Sequence, residues 1–132
     1  FDNSSDENAQ FTVAFPKSWN EGTVTFQAFF TVTGTNTGTV AWGLSATALA
    51  DNDSMNTAFG TNVVATAKAH SGTSNDLNVS NESGNVTIAG SPSTDELVVF
   101  QIMRDVSADN QSGDARLLGI KLFFTNDALT DA

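Results

Sequence analysis

Residues 23–32 read TVTFQAFFTV. In an extended chain Val24, Phe26, Ala28, Phe30 and Val32 fall on one side, and Thr23, Thr25, Gln27, Phe29 and Thr31 on the other. Apolar and polar residues alternating with period two, in a run rich in β-branched and aromatic side chains, mark a strand with one buried face. Phe29 alone breaks the alternation by placing a ring on the polar side.

The same period recurs outward from this strand, which we read as Thr23–Thr33. Upstream, Phe11, Val13 and Phe15 share a face in Gln10–Phe15, and Pro16 ends that strand because it has no N–H to donate. Downstream, Val40, Trp42, Leu44 and Ala46 alternate with Ala41, Gly43 and Ser45. Shorter strands are expected at Thr61–Lys68, Asp76–Ser80 and Asn85–Ala89, and long ones at Glu96–Val106 and Ala115–Thr125. Asp51–Phe59 loses the period, and Met55, Ala58 and Phe59 fit one face of a single helical turn stopped by Gly60. About eight strands separated by turn residues predict an all-β, antiparallel, jelly-roll-like sandwich. An immunoglobulin-like sandwich is the competing arrangement, but its Cys, Trp, Cys spacing is absent.

The 132 residues make one domain, with 1–8 and 126–132 expected to be extended or frayed. The chain starts at Phe1 without an initiating Met, as a processed product or part of a longer polypeptide would. Five basic residues against fifteen acidic ones give a net charge of -10. That balance argues against nucleic acid and anionic membrane as partners. No apolar run approaches the roughly 18 residues of a spanning helix. Cysteine is absent, which removes disulfides, thiolate metal sites and a cysteine nucleophile.

Candidate chemistry is sparse. His70, the single histidine, sits in the loop AKAHSGTSN, where a solvated role is expected rather than a catalytic one. One histidine and no cysteine leave no ordinary zinc or iron set, so no metal and no cofactor is expected. Asp51 and Asp53, and the loop carrying Asp105, Asp109, Asn110 and Asp114, concentrate oxygen ligands without following a calcium loop. Helix capping is the preferred role for Asp51 and Asp53. The two arginines, Arg104 and Arg116, flank a hairpin beside Asp105 and Asp114, which predicts a structural ion-pair cluster at its mouth. Trp42 shares a face with Val40 and Leu44 and belongs to the core. Trp19, in the turn KSWNEG, is the candidate for stacking on a sugar, together with the loops Thr35–Gly38, His70–Asn75 and Ser107–Gly113. The N-x-S/T triplets at Asn3, Asn52, Asn78, Asn81, Asn85 and Asn110 follow from a composition rich in Asn, Ser and Thr.

The most informative irregularity is apolar doubling. Phe29 with Phe30, Phe123 with Phe124, Leu117 with Leu118, Ile102 with Met103, and Leu97 to Phe100 send apolar side chains to both faces of their strands. Exposing such a side chain forgoes about 1.5–3 kcal/mol, so a cover is expected. Subunit contact through Phe29, Phe30, Phe123, Phe124, Leu118 and Met103 is the first reading, with a trimer favoured. Self-cover by the Asp51–Gly60 loop is the second.

The stretches DENAQFTVAFPKSWNEGTVTFQAFF, VAWGLSATALADNDSMNTAFGT, DLNVSNESGNVTIAGSP and VVFQIMRDVSADNQSGDARLLGIKLFFTND span nearly the whole chain. In them the chain resembles a family of small virion proteins of tailed bacteriophages and prophages. The resemblance implies a non-enzymatic structural protein of the fibre, appendage or capsid-decoration kind, located in the virion. It implies other virion proteins as partners, and a further segment before the FD that attaches the domain. A carbohydrate-binding or receptor-binding fibre tip, with a cell-surface glycan as ligand, is the alternative.

Overall fold

The computed structural model describes residues 1–129 and is built of strands, with no helix among the described residues. The strands are β1 (Glu7–Ala14), β2 (Thr25–Val32), β3 (Thr39–Val40), β4 (Trp42–Leu49), β5 (Val63–Val64), β6 (Lys68–Ala69), β7 (Asn78–Val79), β8 (Ile88–Ala89), β9 (Leu97–Arg104) and β10 (Ala115–Phe123). One sheet runs β1-β9-β4, with β5 and β8 both on the far edge of β4. The other runs β10-β2-β7, and β3 with β6 forms a separate ribbon. All pairs are antiparallel except β4 with β8. The expected β-sandwich is present, with ten strands among the described residues.

The period-two reading explains the core. Phe26, Ala28, Phe30 and Val32 of β2 are fully buried and meet Trp42, Leu44 and Ala46 of β4 and Val98, Phe100 and Ile102 of β9. The Phe30 and Trp42 rings lie 5.8 Å apart and join the two sheets.

The doubling has two different causes. β4 is buried on both faces because it is central in its sheet and the chain after it folds back across its outer side. Ser45, Thr47 and Leu49 of β4 and Val99 of β9 are buried there. Met55, Thr57 and Phe59 line a depression over Thr47, Leu49 and Val99. Asn62 lies over Gly43 so closely that a Cβ at 43 would sit 2.6 Å from its amide nitrogen. The Asp51–Gly60 segment therefore covers this face, as the self-cover reading expects. Its helical turn does not form. Asn52 takes a positive φ of 70°, and Asp53 closes a tight turn by donating its N–H to Ala50 O and accepting the Ala50 N–H on its carboxylate. A polar turn and a covering strap also break a period of two.

The small sheet ends in an unusual edge. β7 pairs only with Phe29 and Phe30, yet the ladder along β2 is continued by Ser80 and Ser83. Their amides donate to Ala28 O and Phe26 O, while their hydroxyls accept from Ala28 N and Phe26 N and pass their protons to Asn81 O and Gly84 O. Each buried serine thus substitutes a hydroxyl for the missing strand carbonyl. Ser80→Ala and Ser83→Ala are each expected to cost about 1–3 kcal/mol in urea unfolding, because a buried N–H loses its acceptor. Wild-type stability in both variants would show that these amides find other partners.

The N-terminus is not frayed over residues 1–8. β1 begins at Glu7, and Phe1 exchanges both backbone hydrogen bonds with Ala115, each 2.9 Å. An edge-on contact with the Trp42 indole at 5.1 Å anchors its ring. Of the stretch 126–132, Asn126 bridges to Trp19 and Asp127 N donates to Ser18 O, while residues 130–132 lie outside the described residues.

Candidate functional site

Arg104 closes β9 on the inward face, in line with Phe100 and Ile102, and is fully buried. A guanidinium placed there must find partners for all its donors. The loop that follows supplies most of them. Nε and Nη2 donate to the Asp109 carboxylate at 2.7 and 3.2 Å, Nη2 also to Gln111 O at 2.8 Å, and Nη1 to Gly113 O at 2.9 Å and Phe1 O at 3.2 Å. Five N–H groups are matched by five bonds. The Asp109 side chain is itself buried, so this is a forked ion pair in the interior.

The ion pair differs from the expected cluster of Arg104, Asp105, Asp114 and Arg116. Asp105 instead caps its own turn, accepting from Ser107 N, Ser107 Oγ and Ala108 N. Asp114 and Arg116 are exposed, and Arg116 faces outward opposite Thr31. The register explains this. Arg104 and Arg116 lie on strands of different sheets, so no hairpin brings them to one mouth. Nearby, the Asp2 carboxylate is held below the usual carboxylate range by the Ser4 hydroxyl and amide.

His70 is buried rather than solvated. Its Nδ1 lies 2.9 Å from Asn36 O, which requires the Nδ1–H tautomer because a carbonyl only accepts. Gln111 Nε2 donates to the same Asn36 O and to Gly38 O. The histidine thus ties its own loop to the 33–38 loop, and Gln111 ties that loop to the one that holds Arg104. Trp19 is also buried, at 1% exposure, stacked on Phe15 at 4.1 Å. Its ring cannot offer a face to a sugar. The Asn78 triplet is closed as well, its buried amide accepting from Ser71 N and donating to Asp76 O. Among the described residues no group of three or more His, Asp or Glu is placed to hold a metal ion.

The six residues expected at a subunit contact are not one surface. Phe30 is in the core. Met103, opposite Asn8 and Gly43, lies on the outer face of the large sheet. Phe29 and Phe123 lie on the outer face of the small sheet, with the Lys121 ammonium 4.9 Å from the Phe123 ring. Phe124 turns toward Phe15, with ring centroids 5.3 Å apart. Leu118 occupies the β-bulge between Leu117 and Gly119 and is 60% exposed. Of the six, Leu118 and Phe124 are exposed, and Phe29 and Phe123 are half-buried on the outer face of β10 and β2.

Beside Leu118 the sandwich is open. A groove of about 310 Å³ lies between β1 and β10, walled by Ala9, Phe11, Ile102, Leu117, Leu118 and Ile120. Nothing in the sequence marks it, because strand alternation says which side of a sheet a residue faces and not which strands end the sheets. The Asp109 partner of Arg104 had only its loop position as a signal. No protein-family model, curated protein or solved structure matches the chain.

Proposed function

We propose that the protein is a non-enzymatic structural component of a bacteriophage virion, a fibre, appendage or capsid-decoration domain that assembles with copies of itself. The exposed Leu118 and the half-buried Phe29 and Phe123 on the outer side of the small sheet carry this reading. Apolar groups of that kind on one outer face are the usual mark of a protein contact. The jelly-roll-like character rests on the number and spacing of strands in the sequence, and the virion location on the resemblance, over nearly the whole chain, to small phage virion proteins. The buried polar side chains support a structural role, since Arg104, Asp109, Gln111, Ser80 and Ser83 are committed to backbone groups and to each other.

A glycan-binding tip is not favoured, because the burial of Trp19 removes the residue on which it depended. The virion reading is tested by raising antibodies to the purified domain and imaging gold-labelled particles of the phage that encodes it. Label on head or tail is expected. Absence of label from both intact and disrupted particles would contradict a virion role.

A further inference from the structure

We draw no further inference here: the strongest candidate, the open apolar groove between the edge strands β1 and β10, carries nothing beyond the self-association already proposed, because nothing in the structure shows what covers it.

Discussion

Arg104→Met is expected to destabilise the fold by about 3–5 kcal/mol, because it leaves the Asp109 carboxylate buried without its cation. For a domain of this size that corresponds to a fall of about 10–20 °C in melting temperature. The loss extends beyond one ion pair. Three of the five bonds from the guanidinium go to the carbonyls of Phe1, Gln111 and Gly113, so the N-terminus and the 105–114 loop both lose their anchor. The double variant Arg104→Met with Asp109→Leu is expected to recover part of the loss, since it removes the stranded charge and leaves only the unbonded carbonyls. Thermal unfolding followed by circular dichroism distinguishes these outcomes. A shift of only a degree or two in Arg104→Met would mean that water enters and solvates Asp109, and that the buried pair does not hold the loop.

Trp19→Ala carries the second large effect. Its ring is enclosed by Phe15, which in turn touches Phe100 and Phe124, so truncation opens a cavity at one end of the aromatic core. Removing a buried tryptophan costs about 3–5 kcal/mol, depending on how far the neighbours collapse. Trp19→Phe keeps the stacking on Phe15 and is expected to retain most of the stability. Urea unfolding of the pair is the measurement. Full stability in Trp19→Ala would contradict the packing role and return the residue to the surface.

These two residues show where sequence reasoning works and where it stops. The alternation in Thr25–Val32 and Trp42–Leu49 identified strands and their inward faces correctly, because a residue's side of a sheet is a local property. Trp19 lies in a turn, and nothing local indicates that its ring stacks on Phe15 and its backbone bridges to Asn126. Arg104 reads as ionic from the acids around it, but its partner is not the adjacent acid. Adjacency suggested Asp105, whereas the strand end aims the guanidinium inward and only a residue returning from the loop, Asp109, reaches it. His70 is a similar case, a polar residue in a loop that folds inward, where its ring meets the same Asn36 carbonyl that accepts from Gln111.

The doubled apolar residues separate along similar lines. Val98, Val99 and Phe100 are explained within one chain, because the 51–62 segment crosses the outer face of the large sheet. Among the described residues Phe29, Phe123 and Leu118 have no such strap, and their sheet has fewer strands. Sequence placed these cases together because each consists of adjacent apolar residues. Chain topology separates them, and topology depends on pairings between segments far apart in the sequence.

The most direct test of self-association is the native mass of the purified chain by light scattering behind a size-exclusion column, over a series of loading concentrations. A closed assembly at a whole multiple of the 13.8 kDa chain is expected. A constant 13.8 kDa at every concentration would contradict it.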